Sequence, residues 1–132
     1  MIKVNTLCLV DDDHIFQFLT KRAIEQTHMV NVIQVFANGL QAINFLKSKL
    51  ENNENLPDMI LLDLNMPVMD GWEFVEEYIS LLPRLGKKIL LYIVSSSVSD
   101  SDLEKAKSIS SITDYVTKPI TRDKFIELLK EE

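Results

Sequence analysis

The chain has 132 residues, of which 46% are hydrophobic and 26% charged, and its formal net charge at pH 7 is −6. This length and balance are typical of one soluble globular domain, and they argue against a disordered chain and against a membrane protein. The negative charge argues against direct nucleic-acid binding, because contacts to phosphates require clustered lysine and arginine side chains.

The N-terminal segment shows no basic stretch followed by an apolar core, so we expect no signal peptide and a cytoplasmic protein. The single cysteine, Cys8, lies within an apolar run and has no partner for an internal disulfide. A lone cysteine fits a protein of a reducing compartment, and we expect its thiol to be buried and inert.

The first predicted strand covers residues 6–10 and ends in three consecutive acids, Asp11, Asp12 and Asp13. A helix is predicted to follow, with Asp13 as its N-cap and an end near residue 27. Its expected buried face consists of Ile15, Phe18, Leu19 and Ala23.

Strands and helices then alternate along the chain. Strands are predicted at residues 31–36 and 59–62, the second closed by Asp63, and a helix capped by Asn38 lies between them. After a break at Pro67, Asp70 and Glu73 form the pattern of a capping box that opens a third helix. Its predicted buried face is Val75, Ile79 and Leu82.

The strongly apolar residues 89–94 predict an interior strand that ends at Ser95. Ser101 and Glu104 match a capping box for a fourth helix, whose apolar face of Leu103, Ala106 and Ile109 is weak. A fifth strand at residues 112–117 ends at Lys118, and a helix capped by Thr121 completes the pattern.

Five βα units joined by short loops predict an α/β fold with a parallel sheet covered by helices on both faces. We expect a doubly wound, flavodoxin-like domain of five strands in the order 2-1-3-4-5, flanked by five helices. Residues 1–132 are expected to form this single domain, with no output domain.

Several strand ends carry chemically active side chains: Asp11 and Asp12, Asp63, Ser95, and Lys118. In this topology these ends are neighbours, so three carboxylates should converge, repel one another and raise at least one pKa unless a cation binds among them. Oxygen ligands without histidine or cysteine favour Mg²⁺, with Mn²⁺ as a substitute. An aspartate beside a metal, a lysine and a hydroxyl can accept a phosphoryl group as an acyl phosphate.

These motifs resemble the response-regulator receiver domains of two-component signalling, and the stand-alone, CheY-like regulators in particular. The matching segments are residues 9–12 (Leu-Val-Asp-Asp), 63–71 (Asp-Leu-Asn-Met-Pro-Val-Met-Asp-Gly), 94–96 (Val-Ser-Ser) and 118–119 (Lys-Pro). The resemblance covers essentially the whole chain. It implies a phosphoacceptor module that catalyses only its own phosphorylation and dephosphorylation.

The resemblance also implies individual roles. Asp63 would be the phosphoacceptor, and Mg²⁺ would be held by Asp11, Asp12, Asp63 and the backbone carbonyl of Asn65. Lys118 would contact the phosphoryl group, and its bond to Pro119 would be cis. Ser95 and Tyr115 would form the switch, and Ser at position 95 departs mildly from the commoner Thr.

By the same resemblance, the partners would be a histidine kinase or a phosphotransfer protein and a downstream protein bound at the face of helix 4, strand 5 and helix 5. The domain would be a monomer or a weak, phosphorylation-dependent dimer.

Three alternatives stay open: a receiver segment of a hybrid histidine kinase, a Mg-dependent phosphohydrolase, and a flavin-binding domain. Asn65 argues against the phosphohydrolase, since no second acid stands two residues after Asp63, and the acidic first turn argues against flavin phosphate.

Overall fold

A computed structural model describes residues 3–97 and 99–131. The strands are β1 (Val4–Val10), β2 (Val30–Phe36), β3 (Met59–Asp63), β4 (Leu90–Ser95) and β5 (Asp114–Thr117). The helices are α1 (His14–Glu25), α2 (Gly39–Ser48), α3 (Gly71–Leu81), α4 (Asp100–Ser108) and α5 (Arg122–Lys130), and short 3-10 turns cover Asn53–Asn55 and Leu82–Arg84. All four strand pairings are parallel and the order is β2-β1-β3-β4-β5, which confirms the predicted fold class.

The central strands are apolar on both faces because each face packs against helices. In β3, Ile60 and Leu62 belong to a buried cluster shared with α2, α3 and α4, whereas Met59 and Leu61 belong to a cluster shared with α1 and α5. Cys8 lies in the first of these clusters, so the predicted burial of its thiol is confirmed, and this burial raises the thiol pKa to about 12.

The helix starts are set by side-chain caps. The Asp13 carboxylate accepts hydrogen bonds from the N–H groups of Ile15 and Phe16, and Asp70 and Glu73 form the predicted capping box of α3. The predicted cap of α4 is wrong, because Ser99 caps this helix in place of Ser101. A start at Ser99 places two acids, Asp100 and Asp102, in the first turn, where the helix dipole favours negative charge.

The predicted buried face of α1 is wrong. Ile15, Phe18 and Leu19 are 72%, 63% and 58% exposed. The inward-facing residues are Phe16, Thr20 and Ile24. Their spacing of four residues satisfies helical periodicity as well as the predicted set does, so periodicity alone could not choose between the two faces.

A similar correction applies to α3. Val75 is buried as predicted, but Ile79 and Leu82 are 41% and 38% exposed. The buried partners of Val75 are Phe74, Tyr78 and Leu81.

Trp72 links α3 to α4. Its indole N–H donates to the Asp102 carboxylate at 3.1 Å, and the Lys105 ammonium lies 4.6 Å from the centre of its ring. These contacts attach the first turns of α4 to the first turn of α3. None of the described helices is sufficiently long and apolar to cross a lipid bilayer.

Candidate functional site

The first acid pair follows β1 directly. Asp11 is 1% exposed, and its Oδ1 accepts a hydrogen bond of 2.9 Å from the Asp13 N–H. The Gln17 side-chain amide donates to the Asp11 backbone carbonyl, which ties the turn to α1. Asp12 is exposed beside it. The turn therefore presents one buried and one accessible carboxylate.

Asp63 is the last residue of β3 and is 7% exposed. Its burial, and then the nearby Asp11 carboxylate, raise the Asp63 pKa to about 6. Lys118 and the backbone N–H groups of Leu64 and Asn65 oppose this rise. The expected repulsion between carboxylates contributes to this rise in pKa, but burial is its larger cause.

Asp11, Asp12 and Asp63 together form the acidic pocket. One carboxylate oxygen from each of the three lies within 4.8 Å of the others. Oxygen ligands at this spacing suit a hard divalent cation that keeps part of its water shell. The residues of the pocket thus fit the metal that the sequence predicts.

Lys118 lies next to the acidic pocket, at the end of β5. Its Nζ donates to Asp11 Oδ2 at 2.7 Å and lies 3.6 Å from Asp63 Oδ1. The Lys118–Pro119 peptide bond is cis, as expected. On another side the ammonium lies 4.1 Å from the centre of the Phe16 ring. Sequence reasoning missed this aromatic neighbour, because it placed the buried face of α1 elsewhere.

Ser95 and Tyr115 share one acceptor. The Ser95 hydroxyl donates to the Ser97 carbonyl oxygen at 3.0 Å, and the Tyr115 hydroxyl donates to the same oxygen at 2.9 Å. The Ser95 hydroxyl is therefore already hydrogen-bonded in this structure. Both switch candidates meet at a single backbone carbonyl.

The segment that follows Asp63 folds back and packs against the end of β3. Asn65 is exposed in this segment, and the Gly71 N–H donates to the Leu64 carbonyl at 2.9 Å. A Cβ on Gly71 would lie 2.5 Å from the Asp63 carbonyl oxygen, so only glycine fits here. The start of α3 and the end of β3 thus form one unit.

The family model of the response regulator receiver domain matches residues 7–130. This chain belongs to that family. The receiver domain is 30% identical to the probable methanogenesis regulatory protein FilR2 of Methanothrix harundinacea, over 95% of this chain and 81% of that protein.

Solved structures agree with this assignment. A two-component response regulator from Cytophaga hutchinsonii has a TM-score of 0.87 and 32% identity, over 98% of this chain and 96% of that one. The Mn²⁺-bound form of the response regulator Rcp1 has a TM-score of 0.72 and 26% identity, over 96% and 90%. Several other curated relatives are longer, and this chain spans 11% to 52% of their lengths.

The family assignment makes the chain a receiver domain of two-component signalling, the class expected from its motifs. The family is a signalling phosphoacceptor, so these matches do not favour the phosphohydrolase or flavin alternatives. The structure brings Asp11, Asp12, Asp63 and Lys118 together at one edge of the sheet.

Proposed function

We propose that this receiver domain accepts a phosphoryl group on Asp63 from a histidine kinase or a phosphotransfer protein. The observation that carries the proposal is the position of the Asp63 carboxylate, at the end of β3, with Asp11 and Lys118 both beside it. A buried nucleophilic carboxylate with an adjacent cation is the arrangement that aspartyl phosphate formation needs.

The transfer step follows from these positions. An Asp63 oxygen attacks the phosphorus, the P–N bond to the donor histidine breaks, and its electron pair stays on the imidazole nitrogen. The Lys118 ammonium, 3.6 Å from Asp63, stabilises the negative charge on a phosphoryl oxygen. Asp63 has to be ionised to attack, and its pKa of about 6 leaves most of the metal-free carboxylate ionised at neutral pH.

We further propose Mg²⁺, or Mn²⁺ in its place, as the ion of the acidic pocket. Asp11, Asp12 and Asp63 would hold it with their carboxylates, and Asn65 with its backbone carbonyl. The bound cation would lower the repulsion among the carboxylates and neutralise charge on the transferring group.

The exposed apolar face of α1 is the proposed docking site for the protein phosphodonor. Ile15, Phe18 and Leu19 lie on the helix that follows the acid pair directly, so a partner bound there is adjacent to the acidic pocket. Clustered, exposed apolar side chains of this kind are typical of protein-binding surfaces. The occupant would be the phosphodonor protein, which would present its phosphohistidine toward Asp63.

The proposed output involves the shared carbonyl of Ser97. If the Ser95 hydroxyl turns to a phosphoryl oxygen on Asp63, the Ser97 carbonyl loses one of its two donors. Tyr115 would then change position on the face formed by α4, β5 and α5, where the downstream protein would bind. A groove of about 270 Å³ between α4 and β5, lined by Leu103, Ile109 and Tyr115 among others, lies on this face.

Phosphorylation with a small donor tests the assignment of Asp63. Incubation with acetyl phosphate and Mg²⁺ should add one phosphoryl group, detected by intact mass and removed by hydroxylamine. Asp63→Asn and metal-free protein should gain none. Unchanged labelling of Asp63→Asn would show that another residue is the nucleophile.

The docking site needs a different test. With a phosphotransfer protein that phosphorylates the native domain, Phe18→Ser should slow the transfer strongly. The same variant should react normally with acetyl phosphate, because Phe18 does not contact the acidic pocket. Equal transfer from the protein donor to both forms would place the docking site elsewhere.

A further inference from the structure

We propose that Phe16 is a positioning residue for phosphoryl transfer, whose ring holds the Lys118 ammonium between Asp11 and Asp63. This inference rests on the proposed function, in which Lys118 contacts the incoming phosphoryl group. Phe16 itself touches no reacting atom and acts only through Lys118.

The geometry is that of a cation–π contact. The Lys118 Nζ lies 4.1 Å from the centre of the Phe16 ring, well inside the range of about 6 Å over which a ring face attracts a cation. The Lys118 side chain is only 16% exposed, so its ammonium is partly removed from water. The attraction is therefore stronger than at an open surface.

The Phe16 ring adds a second restraint on the lysine, beside its hydrogen bond to Asp11. Its long side chain has many rotamers, and its compact ammonium has three donors and no preferred plane. Asp11 accepts one hydrogen bond at 2.7 Å, whereas Asp63 at 3.6 Å lies beyond hydrogen-bonding distance. The ring attracts the ammonium without supplying a strong acceptor, so it restrains Nζ and leaves an N–H available for a phosphoryl oxygen.

The turn that carries the acid pair also fixes the ring. The Phe16 N–H donates to Asp13 Oδ1 at 3.2 Å, and the neighbouring Gln17 amide donates to the Asp11 carbonyl. These bonds set the rotation of the first turn of α1, which points Phe16 inward and Ile15 outward.

The test compares three variants in the acetyl phosphate reaction. Phe16→Leu keeps an apolar side chain but removes the ring, and it should lower the phosphorylation rate constant by roughly 3- to 10-fold. Phe16→Tyr keeps the ring and should restore a rate near the native value. Phe45→Leu is the matched control, because Phe45 is half-buried on α2 and carries its own lysine contact, with Lys49 Nζ at 5.6 Å. It should react at the native rate.

Two further measurements separate positioning from a general structural defect. The Mg²⁺ dissociation constant of Phe16→Leu, measured by calorimetry, should stay close to that of the native protein, because the Phe16 side chain supplies no ligand to the acidic pocket. In native protein, the Lys118 ε-methylene protons should show an upfield NMR shift from the ring current, relative to other lysines. This signature needs no variant to fold.

The outcomes are distinct. A native rate for Phe16→Leu, no recovery in Phe16→Tyr, or an unshifted Lys118 resonance would each overturn the inference. Failure of the native protein to be phosphorylated would instead refute the proposed function on which the inference depends.

Discussion

The raised pKa of Asp63 predicts an unusual pH dependence of stability in the metal-free protein. The carboxyl has a pKa of about 6 in the folded state against a usual value of 3.8. Between these values the folded state binds the proton and the unfolded state does not. Proton binding by Asp63 therefore stabilises the folded state. This contribution is fully present below pH 3.8 and is lost as the pH rises through about 6.

The magnitude follows from the size of the shift. About two pKa units correspond to roughly 3 kcal/mol over the whole window, of which about 2 kcal/mol falls between about pH 4.5 and about pH 7.5. Asp63→Asn carries no titrating group at this position and should not lose this energy. As the pH rises across this interval, the free energy of unfolding of Asp63→Asn should therefore increase by about 2 kcal/mol relative to that of the native protein.

Urea unfolding with a chelator present, repeated across this pH interval, measures the difference. Because the two proteins share their other titrating groups, the change in the difference chiefly follows Asp63. The reasoning would be refuted if the difference between the two free energies of unfolding stayed constant with pH. It would also be refuted if the native protein became more stable relative to Asp63→Asn as the pH rose. Saturating Mg²⁺ should reduce the effect, since a bound cation stabilises the ionised carboxylate.

Three other changes have defined outcomes. Gly71→Ala places a Cβ 2.5 Å from the Asp63 carbonyl oxygen, and it should cost about 1–3 kcal/mol in urea unfolding, a result contradicted by an unchanged midpoint. Mg²⁺ at about a hundredfold excess over its dissociation constant should stabilise native protein by about 2.7 kcal/mol, and Asp12→Ala should lose this response in thermal melts. Ser95→Ala should keep Asp63 phosphorylation while weakening the amide shifts that beryllofluoride induces at Tyr115. Full shifts at Tyr115 in that variant would rule out the proposed link.

The strand ends and the acidic pocket were predictable because parallel topology is a strong constraint. Once five βα units are recognised, the ends of β1, β3, β4 and β5 have to lie along one edge of the sheet. Asp11, Asp63 and Lys118 then meet irrespective of small errors in the element boundaries. The shift of β4, predicted at residues 89–94 and found at Leu90–Ser95, left the site unaffected.

Helix rotation was not predictable to the same degree. In α1, two sets of residues fit one helical period, and the choice between them depends on hydrogen bonds from the first turn to the preceding loop. The Phe16–Lys118 contact joins residues more than a hundred positions apart in the chain, so no local sequence pattern predicts it. The shared Ser97 acceptor was missed because backbone carbonyls carry no sequence signal.

The contact between Trp72 and α4 gives the molecule a built-in optical probe. Trp72 is the single tryptophan of the chain, so its fluorescence comes from one site. The indole donates its hydrogen bond to Asp102 and lies against Lys105, and both residues belong to α4, which is part of the proposed output face. Displacement of α4 would expose the indole to water and shift its emission to longer wavelength. The activation of unlabelled protein could then be followed in real time as acetyl phosphate or beryllofluoride is added.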